Sequence, residues 1–342
     1  MDKKKIAWGL ISLLIAVLTI YTIVGMNDYF SMEHFIEVIS TSKIPWMVGA
    51  LICMFGFIWF EGFALVRIAH YLGYGETTNR GTLYGAADIF FSAITPSATG
   101  GQPASAIFMI KDKMPASVAT ASLIINLIMY TMALLTIGLI CLPWLRGFSK
   151  FSTIIIIIGF FLLLFLAAMF YLLLKKGEIL SNALKAIVRG LTKIHIFRNP
   201  DKRIRRIDKL TEEYQECARV IFGKKKMLIE IYFINLLQRI SQLGVSFMVF
   251  LAIGRSFSDA LNIWAIQAFV AIGSNCIPIP GAMGIADYLM IDGFSSVVGE
   301  AASGGIELIC RGITFYTCVI LSGIIVLIGV MRNKKKEREE RC

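Results

Sequence analysis

Long apolar runs alternate with short polar stretches along the whole chain. Six runs, at about 6–26, 46–66, 116–142, 152–174, 227–253 and 306–331, reach the roughly 20 residues that a helix needs to cross a bilayer. The first run is too long for the apolar core of a signal peptide, and no small-residue cleavage site follows it. The pattern predicts an all-α polytopic integral membrane protein with about six spanning helices.

Composition supports one membrane domain over residues 1–342. Hydrophobic residues make up 57% of the chain, against about 45–50% in a typical soluble domain. The seven cysteines are scattered, with no C-x-x-C pair, so neither a disulfide framework nor a zinc site is expected.

The distribution of basic residues predicts the topology. Residues 175–226 hold fifteen Lys/Arg against six Asp/Glu, and the tail from Arg332 holds six against three. Residues 27–45 are acidic on balance. By the positive-inside rule both termini and the 175–226 segment are cytoplasmic, in a protein that we expect in the plasma membrane. Nucleic-acid binding is the weaker interpretation, because the basic residues follow the membrane ends and no nucleic-acid motif is present.

A polar stretch at 95–103 interrupts apolar sequence. It reads Thr-Pro-Ser-Ala-Thr-Gly-Gly-Gln-Pro, and Pro103 lacks an N–H while Gly100 and Gly101 favour a turn. Broken backbone at membrane depth is tolerated only against protein or a water-filled cavity. With the charge topology, this predicts that 83–110 is a re-entrant hairpin that enters from the cytoplasm and returns to it.

A second break lies in the other half of the chain. Residues 276–284, Cys-Ile-Pro-Ile-Pro-Gly-Ala-Met-Gly, lie inside the segment 260–300, which the topology requires to enter from outside and leave outside. The sequence thus predicts two inverted hairpins, and interrupted segments at matching places indicate a binding site near the midplane. The alternative is that one or both are ordinary kinked helices. The residues expected to break the helices are Pro96, Pro103, Pro278, Pro280, Gly281 and Gly284.

The 175–226 segment has a different character. Apolar residues recur there at spacings of three and four among Lys, Arg and Glu. This pattern is typical of amphipathic helices that lie at a membrane surface, here the cytoplasmic one.

Arg239 is the most informative polar residue in the apolar runs. It falls near the middle of the fifth run, where an ionisable group costs about 2.5–3.5 kcal/mol on insertion scales. Its five donors suit a phosphate or carboxylate, so one hypothesis is contact with a lipid phosphate. The other is a structural ion pair with one of three acidic residues: Asp88, Asp287 or Glu307.

Two further features surround this residue. Asn235, Gln238 and Gln242 share one helix face with Arg239, as expected for either bundle-interior hydrogen bonding or a cavity wall. We also expect Glu307 to pair with Arg311, one helical turn away.

The remaining charged residues near the apolar runs divide into two groups. Asp88 and Asp287 flank the two breaks and could bind a cationic headgroup or carry coupling protons. Glu61 and Arg67 fall near the cytoplasmic end of their run, where an interfacial position is expected.

The first break offers a second means of binding anions. Backbone N–H groups at the start of a half-helix carry partial positive charge, and Ser97, Thr99 and Gln102 add polar side chains. Gly100 and Gly101 would let a headgroup approach the backbone. The alternative is that these glycines only permit close crossing of helices.

Catalytic motifs are not evident. The chain has no H-E-x-x-H, no G-x-S-x-G and no Walker A pattern, and none of its three histidines falls inside a predicted span. We therefore expect no catalytic residue, no cofactor and no metal.

The two breaks resemble signatures of the lysylphosphatidylglycerol synthase transmembrane region family, the flippase-like domain. Residues 96–103, Pro-Ser-Ala-Thr-Gly-Gly-Gln-Pro, resemble its P-S-x-x-G-G-x-P motif. Residues 278–287, Pro-Ile-Pro-Gly-Ala-Met-Gly-Ile-Ala-Asp, resemble P-x-P-G-G-x-G-x-x-E, with Ala282 in place of a Gly and Asp287 in place of the Glu. Arg311 resembles the family's arginine in the last helix.

This resemblance implies a membrane domain that moves lipids between leaflets. In the multiple peptide resistance factor branch the domain is fused to a soluble synthase that attaches lysine or alanine to phosphatidylglycerol. Only residues 332–342 follow the last apolar run, so we expect no such synthase domain in this chain. Other branches are associated with polyprenol-linked sugars, so the substrate does not transfer with the family.

Three functional hypotheses follow. The first is a lipid flippase or scramblase for a phospholipid such as lysyl- or another aminoacyl-phosphatidylglycerol. The second is a secondary transporter of a small anion that uses the same pocket. The third is a non-transporting partner of a separate lipid-modifying synthase. A homodimer is compatible with each of them.

Overall fold

In the computed structural model of the chain, residues 40–95, 98–176, 181–182, 185–186, 200–275, 282 and 284–339 are described. These residues form eleven α-helices and no strand. The helices are α1 (Ile44–Tyr71), α2 (Thr78–Ile94), α3 (Gly101–Lys111), α4 (Ala116–Ile140), α5 (Lys150–Lys175), α6 (Pro200–Gly223), α7 (Lys225–Ala252), α8 (Phe257–Ser274), α9 (Ile285–Val298), α10 (Glu300–Arg311) and α11 (Cys318–Glu339). A 3₁₀ turn over Leu142–Gly147 joins α4 to α5, and a π-helical turn over Gly312–Thr317 joins α10 to α11.

Five helical stretches are long and apolar enough to cross a membrane. They are Ile44–Tyr71, Ala116–Ile140, Lys150–Lys175, Lys225–Ala252 and the continuous helical stretch Ala302–Asn333. They coincide with five of the six predicted spans, and the sixth, at 6–26, lies outside the described residues. The prediction of an all-α polytopic membrane protein is confirmed.

The antiparallel helices α1 and α7 form the centre of the bundle. At one end the backbone N–H of Lys43 donates to the carbonyl of Ala252 at 2.9 Å. At the other end Lys224 Nζ donates to the carbonyl of Tyr71 at 2.8 Å. Arg67 Nε also donates to Glu230 Oε1 at 2.6 Å there, so Arg67 lies near the end of α1, where the sequence placed it.

Helices α2 and α3 fold back on each other and form the first helical pair. The base of this pair lies at the Tyr71 end of the bundle, because only six residues separate the end of α1 from the start of α2. The observed helices extend slightly beyond the predicted 83–110 segment. The predicted break was too long, because Gly101, Gln102 and Pro103 lie in the first turn of α3. Proline is tolerated there since its missing N–H would have no partner inside the helix.

Helices α8 and α9 form the second helical pair, whose base lies at the opposite end of the bundle. Helix α8 begins just after α7 ends, and Trp144 Nε1 in the α4–α5 turn donates to Asn262 Oδ1 at 2.8 Å. The backbone N–H of Ser149 donates to Asp292 Oδ2 at 2.9 Å. Most of the predicted break is outside the described residues, namely 276–281 and 283, which include Pro278, Pro280 and Gly281.

Glycines let α1 and α2 approach each other closely. A Cβ at Gly62 would lie 1.9 Å from the carbonyl oxygen of Gly81, and a Cβ at Gly85 would lie 2.6 Å from the backbone N of Gly62. Any larger side chain here would push the helix backbones apart. This crossing fixes the first helical pair against the central helix α1.

Helix α6 occupies the basic segment, within the predicted 175–226 range. Ala218 and Ile221 are buried on its inner face, and Glu213 Oε2 accepts a hydrogen bond from Ser117 Oγ at 3.1 Å. The helix therefore packs on the membrane bundle through its C-terminal half. Residues 177–180, 183–184 and 187–199 lie outside the described part.

Candidate functional site: two buried charge clusters

Arg239 lies inside the bundle with 8% of its surface exposed. Its guanidinium carbon lies 4.4 Å from the ring centroid of Tyr130 on α4, and its Nη1 donates to Gln242 Oε1 at 2.5 Å. The Nε atom is buried and has no hydrogen-bond partner among the described residues. A buried guanidinium N–H without an acceptor is unusual, since buried polar groups are nearly always hydrogen-bonded.

Glu61 lies beside this arginine, and its predicted interfacial position is wrong. Only 4% of the residue is exposed. Asn126 Nδ2 donates to Glu61 Oε1 at 2.6 Å, and Gln238 Nε2 donates to Glu61 Oε2 at close range. The prediction relied on the position of Glu61 along its apolar run. It failed because two amides from other helices donate to the Glu61 carboxylate and so make burial in the interior tolerable.

Asn126 and Tyr130 are site residues that the sequence reasoning missed. Asn126 Oδ1 accepts from Asn235 Nδ2 at 3.0 Å, which links α4 to α7. Both residues fall inside the apolar run 116–142, one helical turn apart. That spacing was an available signal, because a polar pair on one face of an apolar helix faces other helices.

Asp88 brings the first helical pair into the same cluster. Asp88 is 9% exposed, Ser92 Oγ donates to its Oδ1 at 3.3 Å, and its carboxyl group interacts electrostatically with that of Glu61. Both carboxyl groups interact electrostatically with Arg239. We call this group the Arg239 cluster; its members are Glu61, Asp88, Asn126, Tyr130, Asn235, Gln238, Arg239 and Gln242. Of the three acidic partners expected for Arg239, only Asp88 lies in it.

The glycines of the first break contact protein. A Cβ at Gly101 would lie 2.1 Å from Asp88 Oδ1 and 2.0 Å from Ser92 Oγ. The backbone N–H of Gly100 donates to Thr95 Oγ1 at 2.9 Å. These contacts match the alternative that we gave for the glycines, close packing of helices.

The polar side chains of the first break differ in position. Gln102 is half-buried and Thr99 is exposed, while Pro96 and Ser97 lie outside the described residues. None of the described contacts places Thr99 or Gln102 in the Arg239 cluster, so their predicted role in binding stays a prediction.

A second group of charges surrounds the start of α9. Asp287 Oδ1 lies 2.6 Å from Arg311 Nε, and Asp287 Oδ2 accepts the backbone N–H of Gly284 at 2.8 Å. Asp287 therefore caps the N-terminus of α9 and forms an ion pair with Arg311 at the end of α10. Gly284 has a φ of 77°, which glycine adopts without strain.

Glu307 completes this group, which we call the Arg311 cluster: Asp287, Glu307, Arg311 and Phe315. Glu307 is 1% exposed and interacts electrostatically with Asp287 and Arg311. The expected Glu307–Arg311 interaction is thus shared with Asp287. The guanidinium of Arg311 also lies 5.0 Å from the ring centroid of Phe315.

The two clusters share one composition. Each combines a guanidinium, an aromatic ring beneath it, a glutamate from a spanning stretch and an aspartate from a helical pair. Each break also holds an alanine in the left-handed region, with φ of 53° at Ala98 and 51° at Ala282. Among the described residues, no group of three or more His, Cys, Asp or Glu is placed to hold a metal ion.

The comparisons with known proteins give one result that covers nearly the whole chain. None of the curated proteins compared with the chain matches it. The sequence model described as "Lysylphosphatidylglycerol synthase TM region" matches residues 9–322. That range includes both breaks, both charge clusters and four of the five candidate spans in full. It includes the fifth span, Ala302–Asn333, as far as Ser322. The chain is therefore a multi-pass membrane protein of the lysylphosphatidylglycerol synthase transmembrane region family.

Proposed function

We propose that the protein moves phospholipids between the two leaflets of the plasma membrane, with the headgroup phosphate bound at the Arg239 cluster. The observation that carries this proposal is the buried Arg239 Nε, which has no hydrogen-bond partner among the described residues. A phosphate oxygen would supply the missing acceptor. Guanidinium groups suit phosphate because several N–H donors lie in one plane.

The carboxyl groups beside Arg239 provide a way for phosphate to bind reversibly. Arg239 interacts with the carboxyl groups of Glu61 and Asp88, and a phosphate would compete with them for the guanidinium. Because Asp88 belongs to the first helical pair and Glu61 to the central helix α1, a shift of that pair would change this balance. The headgroup would then enter the polar interior while the acyl chains stay in the lipid.

The two helical pairs supply two movable elements for alternating access. Their bases lie at opposite ends of the α1–α7 pair. We place the segments 83–110 and 260–300 in the membrane as re-entrant hairpins with both chain termini in the cytoplasm, which agrees with the distribution of basic residues. Rocking of one pair against α1 and α7 would open the site to one side at a time.

The acidic residues near Arg239 bear on the chemical identity of the lipid headgroup. A cationic group such as a lysyl moiety would find Asp88 beside Arg239, whereas Asp287 already pairs with Arg311 and caps α9. We therefore favour aminoacyl-phosphatidylglycerol as a candidate and expect no aminoacyl transfer by this chain. A small anion would use the same guanidinium, and a separate synthase could dock on the basic helix α6.

The test is headgroup-resolved lipid translocation in proteoliposomes. The panel contains phosphatidylglycerol, lysyl-phosphatidylglycerol and a polyprenyl phosphate, with uptake of inorganic phosphate as a separate arm. The variants are Arg239→Leu, Arg239→Lys and, as a control, Arg255→Leu at an exposed position. We expect one lipid class to move, at least a tenfold loss in Arg239→Leu, an intermediate rate in Arg239→Lys and no loss in the control.

Two results would redirect the proposal. Phosphate uptake without lipid movement would make the protein a small-anion transporter. No movement above protein-free vesicles in any arm would favour a partner of a lipid-modifying enzyme.

A further inference from the structure

The Arg239 cluster contains more negative than positive groups. Its ionisable side chains are two carboxyls, Glu61 and Asp88, and one guanidinium, Arg239. Buried charges persist only when they are paired, because the cost of removing them from water exceeds several kcal/mol per ion. With both carboxyls ionised, one negative charge would have no partner.

Among the described residues, the side chains that interact with these two carboxyls include no positive group besides Arg239. Tyr130 of α4 is the other titratable side chain that interacts with these carboxyls, and it adds no positive charge. Helix α3 meets Asp88 through Gly101, and α11 packs on α2 through Gly323 and Gly329. Besides Arg239, the described helices around these carboxyls therefore present neutral groups: apolar and glycine surfaces, the hydroxyls of Ser92 and Tyr130, and the amides of Asn126, Asn235 and Gln238.

Two amide oxygens give an independent indication of a missing positive partner. Gln238 is 1% exposed and Asn235 is 0% exposed, and their side-chain oxygens have no hydrogen-bond partner among the described residues. The amide of Gln238 contacts Glu61 directly, and that of Asn235 contacts it through Asn126. Oxygen atoms of carboxyl and amide groups are the ligands that hard cations prefer.

We infer that Glu61, Asp88 and the amide oxygens beside them bind one monovalent cation, a proton or Na⁺, that balances the second carboxylate. The two sources share the same chemistry, one positive charge on carboxyl oxygens. Either cation, the proton or Na⁺, balances the excess negative charge, so that one carboxylate remains as the partner of Arg239. This inference does not depend on whether the chain moves lipid.

The test measures the protonation of the two carboxyl groups directly. The full chain in lipid nanodiscs is titrated with pH, and the infrared C=O band of protonated carboxylic acid is recorded in NaCl and in choline chloride of equal concentration. The variants are Asp88→Asn and Glu61→Gln, each of which leaves one carboxylate opposite one guanidinium. Glu212→Gln, at an exposed position on α6, is the control. Difference spectra against wild type isolate this pair from the Arg311 cluster.

The two arms separate the cations. For a proton alone, we expect a band that both pair variants lose, that the control keeps and whose titration midpoint is the same in both salts. For Na⁺, we expect the midpoint to fall by about one pH unit for each tenfold rise in Na⁺, because the two ions compete.

A wild-type protein with no variant-sensitive band at any pH and no Na⁺ effect would overturn the inference. If Asp88→Asn does not give a monodisperse protein, Glu61→Gln alone decides, since its amide is close in shape to the carboxyl that it replaces.

Discussion

Arg80 and Asp112, 32 residues apart in the chain, meet at the base of the first helical pair, with Arg80 Nε 2.8 Å from Asp112 Oδ2. Tyr84 Oη donates to the same oxygen at 2.5 Å, and Arg80 Nη1 donates to Asn333 Oδ1 at 2.9 Å. These contacts hold together the beginning of α2, the residue that follows α3 and the C-terminal half of α11. This network fixes the base of the first helical pair against α11.

Breaking this contact should destabilise the first helical pair. The side chains are 26% and 11% exposed, so solvent screens the pair only partly. We expect a coupling free energy of about 1–3 kcal/mol in a double-mutant cycle with Arg80→Gln and Asp112→Asn. The measurement is equilibrium unfolding in mixed detergent micelles.

The pair Lys185–Asp208 is a matched control for that cycle. Asp208 is 45% exposed, so a coupling of about 0–1 kcal/mol is expected for this surface ion pair. Equal coupling in the two cycles would contradict a structural role for the Arg80–Asp112 contact.

Gly101→Ala should destabilise the tip of the first pair. Its Cβ would fall within 2.1 Å of Asp88 Oδ1 and 2.4 Å of the Asp88 carbonyl oxygen, which is backbone that cannot move aside easily. Overpacking of this kind costs about 1–3 kcal/mol. Gly304→Ala is the control, since nothing lies within 4 Å of its Cβ position, and alanine there should raise stability by up to about 1 kcal/mol. The prediction fails if the two variants unfold alike.

Ala282→Gly should stabilise the protein. Ala282 has a φ of 51°, in a region where a Cβ is strained and glycine is not. Allowing for the extra freedom of glycine in the unfolded chain, we expect a gain of about 0.5–1 kcal/mol. In Ala106→Gly, within helix α3, the same chemical change should cost about 0.5–1 kcal/mol. A loss in both variants would exclude strain at Ala282.

Asn126→Leu should be the costly substitution on α4. It removes a donor to the Glu61 carboxylate and the acceptor of the Asn235 amide, both buried. Each lost partner costs about 1–3 kcal/mol, so a total of about 2–6 kcal/mol is expected. Ser122→Ala, one turn away on the same helix, should change stability by less than about 0.5 kcal/mol, because its buried hydroxyl oxygen has no partner among the described residues. Thermal unfolding of both variants in one lipid mixture checks this, and comparable losses would refute it.

The sequence predicted the fold well where hydrophobicity decides structure. Apolar length alone located the five candidate spans, and Pro/Gly content located the first break. The end of that break was misjudged, because a proline in the first turn of a helix looks the same in sequence as a proline that stops one. Helix α3 begins at Gly101, and Pro103 is its third residue.

The candidate site was predicted less completely, for a physical reason. Arg239, Asp88 and Gln238 were identified because each is conspicuous in its own apolar run. Glu61 was misplaced and Asn126 was missed, since a buried carboxylate is made tolerable by donors from other helices. Such partners, 65 residues apart for Glu61 and Asn126, become visible only when the helices are assembled.

The hydrogen bond between Glu61 and Gln238 can form only late in the synthesis of the chain. The two residues are separated by 177 positions, so a ribosome completes α1 and α2 long before it makes α7. Until then Glu61 and Asp88 have no guanidinium opposite them. We expect these carboxyls to enter the bilayer uncharged, or to wait at its surface, until the helix that carries Arg239 is inserted. Delay of that helix would make the nascent protein a natural target of membrane quality control.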